Sequence, residues 1–178
     1  MENENYPIGK HALYYGIYTG LGLILISLIF YLLDIYGDNW TSYISYLILL
    51  LGIVLSSLYY RDNRLNGQIT YGTSVSAGFL TGLFAGIIAS IFTYIFITYL
   101  GEEFIREALE RAEEEMIESR PDMSDEELDL ALIWTEKMMK PAWLSIISVL
   151  SYAFFSIIFA LIASIFIKKE DQSLEVNN

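Results

Sequence analysis

The chain has 178 residues, 54% of them hydrophobic and 18% charged, with a formal net charge of −12 and no cysteine. That apolar fraction is too high for a water-soluble domain of this size. The missing thiols exclude disulfides, thiolate metal sites and cysteine nucleophiles. The acidic balance excludes the basic face that nucleic-acid binding requires.

Four stretches contain no Asp, Glu, Lys or Arg: Ala12–Leu33, Trp40–Tyr60, Ile69–Gly101 and Pro141–Ile167. Each exceeds the roughly 20 apolar residues that a helix needs to cross a bilayer. In the first, Tyr14, Tyr15 and Tyr18 near one end and Tyr31 and Tyr36 near the other mark the two headgroup levels, where aromatic rings with a polar tip are favoured. Its apolar run is too long for a secretory h-region and no small-x-small cleavage site follows, so it reads as a retained anchor. The short connection Asp34–Asn39 makes the first two spans an antiparallel hairpin. Trp40 and Tyr43 open the second span, Tyr59-Tyr60-Arg61 closes it, and Asp62–Gly67 reads as a polar turn. The third span is long enough to require tilt or protrusion.

Residues 102–140 form an acidic insert, fourteen acids and five bases giving −9 of the total −12. In 102–120, Phe104, Ile105, Ala108, Leu109, Ala112, Met116 and Ile117 recur at helical spacing. Glu102–Arg106 and Glu107–Arg111 are spaced for i,i+4 pairing. Arg120-Pro121 breaks this helix, because proline disfavours helix in the residue before it. Ser124-Asp125-Glu126-Glu127 is a capping box opening a second helix, with an apolar stripe of Leu128, Ala131, Leu132, Met138 and Met139. The two are expected to form an extramembrane hairpin. Pro141 suits the first turn of the last span, and the tail Lys168–Asn178 is polar and reads as disordered. The whole is an all-α, single membrane domain over residues 1–178, a four-helix transmembrane bundle with an acidic hairpin between spans three and four.

Orientation follows the bias of Lys and Arg. Lys10, Arg61, Arg64, Lys168 and Lys169 fall close to helix ends on one side. The five bases of the insert are spread over a much longer segment. Both termini are therefore expected in the cytoplasm and the acidic hairpin outside.

The third span carries a small residue at every fourth position: Ser74, Gly78, Gly82, Gly86 and Ser90. Such a row is a flat groove that admits a neighbouring backbone, and in lipid this close packing replaces the hydrophobic drive between helices. Ala12, Gly16 and Gly20 repeat the pattern on the first span and Ser156, Ala160 and Ser164 on the fourth. Packing within the chain's own bundle is the first reading, a seam for a second copy or another membrane protein the next, and a substrate path the last. Hydroxyls scattered through the spans are tolerated in lipid by bonding a carbonyl one turn back. The spans lack the mid-depth ionisable group that a proton-coupled transporter would show. His11, the one histidine, sits beside Lys10 at a membrane edge and reads as interfacial, with no nucleophile or acid to complete a triad. The runs Glu113–Glu115 and Asp125–Glu127 splay around a helix axis instead of converging on a cation, so they read as solvated faces. No catalytic residue, cofactor or metal is expected. The expected surroundings are the lipid bilayer and a second copy or another membrane protein.

The order of parts resembles a family of small four-span membrane proteins from the Bacteroidetes lineage, the domain-of-unknown-function 4199 family. The likeness is carried by an N-terminal span rich in Tyr and Gly, then Gln68-Ile69-Thr70-Tyr71-Gly72 leading into the glycine ladder. An acidic insert containing Met123-Ser124-Asp125-Glu126-Glu127 follows, and Lys140-Pro141 precedes the last span. The resemblance implies four helices in an inner membrane and no established activity. With it, the sequence favours a non-enzymatic integral membrane protein acting through helix association or partner binding. A small-solute transporter acting as an oligomer is the alternative and a membrane enzyme a third option.

Overall fold

The computed structural model describes residues 6–33, 35 and 39–169. Asp34 and Tyr36, and with them the expected hairpin connection, lie outside the described residues, as does the tail from 170 on. Six helices follow in order: α1 (Ile8–Leu32), α2 (Asn39–Arg64), α3 (Tyr71–Leu100), α4 (Glu102–Ser119), α5 (Asp125–Met138) and α6 (Pro141–Ile167). The fold is all-α, with no strand among the described residues. Helices α1, α2, α3 and α6 are long and apolar enough to cross a membrane, as in a multi-pass membrane protein.

Two compact units divide the chain. The first holds residues up to 89 and from 149 onward; the second holds residues 90–148.

In the first unit α1 and α2 run beyond their uncharged stretches. α1 begins at Ile8, with Pro7 at its N-cap and the Pro7 carbonyl accepting from the amides of Lys10 and His11. α2 continues through Asp62 and Asn63 to Arg64, so half of the segment expected as a turn is helix. Charge sets where a helix leaves an apolar medium, not where its backbone stops hydrogen bonding. α2 ends instead at Asn66 and Gly67, both with positive φ, where the Gly67 amide closes onto the Arg61 carbonyl at 2.8 Å. Asn and Gly are the residues that best tolerate this left-handed backbone at a helix end. A reciprocal pair of 2.9 Å backbone bonds then joins Ile69, before α3, to Lys169, after α6.

The core of this unit is built from Leu23, Leu49, Ile53, Ala85, Ala89 and Ala160. A second cluster groups Tyr60, Ile69, Ala77, Ala163 and Ile167. Alanine is prominent in both, because helices that approach closely in lipid need small contact residues.

The second unit contains α4 and α5, and neither has a buried residue. α4 stops at Arg120, whose backbone is extended (φ −138°, ψ 77°) ahead of Pro121. Ser124 and Glu127 make the capping box: the Glu127 amide donates to Ser124 Oγ at 3.3 Å and the Ser124 amide to Glu127 Oε2 at 3.1 Å. Donation by the Ser124 amide and hydroxyl holds the Glu127 carboxyl below its ordinary range. Arg106 bonds Glu103 at 3.1 Å and approaches Glu110 at 4.0 Å, in place of the expected Glu102. Arg111 pairs with Glu107 at 3.4 Å.

Candidate functional site

Three constellations compete for a functional role: the rows of small residues, a buried polar chain around His11, and the groove between α4 and α5.

The α3 row faces α6. The hydroxyl of Ser164 donates to Ser74 Oγ at 2.8 Å. A Cβ placed on Gly78 would come within 3.2 Å of the Ala160 methyl. One on Gly82 would collide with Ser156 Oγ, and one on Gly86 would reach 2.5 Å from Tyr152 Cβ. In all four pairs the two residue numbers add to the same value, so α3 and α6 run antiparallel in constant register, four residues per step. Gly82 has the tightest seat of these, because Ser156 meets it with Cβ as well as hydroxyl. Ser90, the last member of the row, belongs to the second unit and is buried. Gly16 and Gly20 of α1 sit on a different face of α3. A Cβ on Gly16 would meet Phe84 Cβ at 2.5 Å and the Thr81 carbonyl at 3.0 Å; one on Gly20 would meet Ile88 Cβ at 3.0 Å. Ala12 is fully buried. Gly52, on α2, is as tight against Thr19 of α1. Its signal in the sequence is a small-xxx-small step to Ser56.

The polar chain starts at His11. The sequence reads this residue as interfacial, at a membrane edge; in the structure it is only 3% exposed. The rings of Tyr15, Tyr60 and Tyr59 surround it, with centroids 4.7, 4.8 and 5.9 Å away. Tyr15, which reads as a headgroup marker, and Tyr59 and Tyr60, which close the second span, thus pack around a histidine. Its Nε2 lies 2.9 Å from the Ser56 carbonyl. A carbonyl only accepts, so Nε2 carries the proton. The same N–H reaches Ser56 Oγ at 3.2 Å. Ser56 Oγ is 2.7 Å from Thr81 Oγ1, which donates to the Ala77 carbonyl at 2.8 Å. Every donor direction is therefore fixed: His11 to Ser56, Ser56 to Thr81, Thr81 to the α3 backbone. The chain ties α1, α2 and α3 together and ends at a backbone acceptor. Ser57 adds a parallel tie, donating to the Ser74 carbonyl at 3.3 Å. Other span hydroxyls, such as Ser27, Ser45 and Ser145, bond a carbonyl one turn back on their own helix.

Basic residues gather close by in the first unit. Arg61 donates to the Ile167 carbonyl at 3.1 Å, at the C-terminus of α6 where a cation complements the helix dipole. Arg64 and Lys10 lie over the Tyr6 ring, 4.2 and 5.5 Å from its centroid. The Tyr60 hydroxyl donates to the Tyr6 carbonyl at 3.2 Å.

The groove of the second unit encloses about 380 Å³. Leu109, Leu132 and Ile133 give it apolar walls, and Glu110, Glu113, Asp129 and Glu136 give it carboxylates, with Arg106 as the cation in its lining. Among the described residues no three His, Asp or Glu side chains converge as metal ligands would. On the same helix as one wall of the groove, Trp134 is 63% exposed, with the Lys137 ammonium over its ring at 4.7 Å.

Four long apolar helices packed through small-residue rows, with an acidic helical pair between the third and the last of them, define the class as an all-α protein of the multi-pass membrane type. Residues 14–169 match the family model described as "Protein of unknown function (DUF4199)", and the chain belongs to that family. Neither a curated protein nor a solved structure matches the chain.

Proposed function

We propose that this is a non-enzymatic, multi-pass protein of the inner membrane that acts by association. The first unit serves as the anchor and the α4–α5 pair as the element that engages a partner. One observation carries the reading: the small-residue rows already face neighbours within the chain, whereas α4 and α5 bury none of their residues. Apolar side chains left open on a surface that also carries charge call for a cover. The gathering of Lys10, Arg61, Arg64 and Lys169 about one set of helix ends supports a cytoplasmic position for both termini, with α4–α5 outside. Affinity purification in mild detergent, comparing the full chain with one in which residues 102–139 are replaced by a short flexible linker, tests the proposal. Both should insert, and proteins that copurify with the full chain should be lost from the deletion. Retention of the same proteins would refute it.

The second reading, a small-solute transporter acting as an oligomer, draws on His11, since a buried ionisable group within a spanning helix is a functional candidate by default. The polar chain argues for a structural role instead, because its last donor ends on the Ala77 carbonyl.

A further inference from the structure

We propose that the groove between α4 and α5 takes a cationic amphipathic helix from a partner protein, seating the Lys or Arg face on the carboxylates and the apolar face on Leu132 and Ile133. This deepens the association reading above and depends on it. Three observations converge on that chemistry.

First, the groove joins both kinds of surface in one concavity. Its volume of about 380 Å³ lies near the lower end of the ~300–1,000 Å³ of ligand clefts. It therefore suits side chains from one helix face more than a broad globular surface. Helix-in-groove docking uses such anchors, spaced one turn apart.

Second, most of the groove's negative charge is uncompensated. Arg106 is engaged by Glu103 and Glu110, while among the described residues no ion pair reaches Glu113, Asp129 or Glu136. Carboxylates held on facing helices repel one another, and a cationic partner relieves that repulsion as it docks. They do not converge as metal ligands, so cations spread along a helix fit them better than a single bound ion.

Third, charge removes the other occupants. A second copy would bring the same insert, with its −9, against this one. Anionic lipid and nucleic acid carry the wrong sign. Of the chain's own five bases outside the insert, Arg61 is held by Asp62 and the Ile167 carbonyl, Lys10 and Arg64 lie over Tyr6, and Lys168 and Lys169 follow α6 in the first unit, where the Lys169 backbone pairs with Ile69.

The test uses the full chain in nanodiscs of zwitterionic phosphatidylcholine, with empty nanodiscs as the lipid-binding control. The probe is a dye-labelled synthetic amphipathic helix of leucine and lysine, compared by fluorescence anisotropy with a twin carrying glutamate in place of lysine. The lysine helix should bind at least about tenfold more tightly than the glutamate helix, with an affinity that falls as salt is raised. Glu113→Lys with Asp129→Lys should weaken the lysine helix about tenfold, equivalent to ~1.4 kcal/mol, and should enable the glutamate helix to bind. That reciprocal gain also demonstrates that the variant is folded. Leu132→Ser with Ile133→Ser should weaken the lysine helix with the charges intact. Equal binding of the two helices, or indifference to the charge reversal, would overturn the proposal. If residues 102–139 nevertheless prove necessary for copurification, the groove inference alone falls and the association reading stands. If copurification survives their deletion, the association reading itself fails.

Discussion

The two units solve the packing problem in opposite ways. In the first, apolar residues cover every helix on all sides, so polarity does not distinguish the inward face. Side-chain size does: glycine, alanine and serine mark the contacts, and neighbours fit to within a methyl group. In the second, α4 and α5 are amphipathic in the manner of water-exposed helices, yet two helices alone are too few to bury a stripe, and nothing in either is buried. The first unit is tight and close-fitted; the α4–α5 pair of the second is open and charged. The two modes match two solvents: in a bilayer cohesion comes from close fit and hydrogen bonds, whereas in water it comes from covering apolar area.

The contrast can be broken most severely at Gly82. Gly82→Leu would drive a branched side chain into Ser156 and Ile53. The expected cost is at the top of the ~1–3 kcal/mol range of overpacking or beyond it. We expect loss of folded protein in detergent, read by gel filtration and resistance to unfolding, while Ile87→Ala, at a position 38% exposed on the same helix, has a small effect. Equal tolerance of both would dissolve the distinction between a close-fitted unit and an open one.

A smaller effect is expected at the polar chain. Thr81→Val keeps the shape but removes the acceptor of the Ser56 hydroxyl. Leaving a buried donor unpaired costs ~1–3 kcal/mol. Unfolding titrations in mixed micelles should register that loss, and a double-mutant cycle with Ser56→Ala should recover part of it. Additive losses would mean the two side chains are not coupled.

The mildest expected effect lies in the second unit, at the α5 cap. Hydrogen bonds from Ser124 lower the Glu127 pKa in the folded state. Its contribution is therefore fully present above the unfolded carboxylate pKa and is lost as pH falls through the folded value. Amide exchange at the start of α5, corrected for its intrinsic pH dependence, should show falling protection on acidification. Glu127→Gln should flatten that dependence without altering the spans. An unchanged pH profile in the variant would remove the cap from the explanation.

Much of this design is legible from residue order alone, for identifiable reasons. An uncharged run longer than a bilayer is thick has few readings, so the four long helices stand out at once. The break at Pro121 and the cap at Ser124 are also visible, because each rests on local backbone chemistry. Periodicity, however, shows which residues share a face, not which helix that face meets. The antiparallel register between Ser74–Gly86 and Tyr152–Ser164, and the seating of Gly16 on Thr81 and Phe84, are long-range facts of that kind. The burial of His11 escapes the sequence for the same reason. Considered singly it is a polar residue near a helix start, and only the approach of Ser56 and the ring of Tyr15, Tyr59 and Tyr60 give it a buried role. The bonds between Ile69 and Lys169 join residues far apart in the chain and leave no local signal.

The claim that the α3 row is occupied within its own chain is open to a direct measurement. The protein has no cysteine, so Ser74→Cys with Ser164→Cys places its only two thiols where hydroxyls now lie 2.8 Å apart. Mild oxidation in native membranes, followed by non-reducing electrophoresis and mass spectrometry, reads which chains the thiols join. We expect an intrachain disulfide and a species of monomer size. A covalent dimer, with the thiol introduced on α3 of one copy bonded to the thiol introduced on α6 of another, would contradict the claim and return the glycine row to the role of an intermolecular seam.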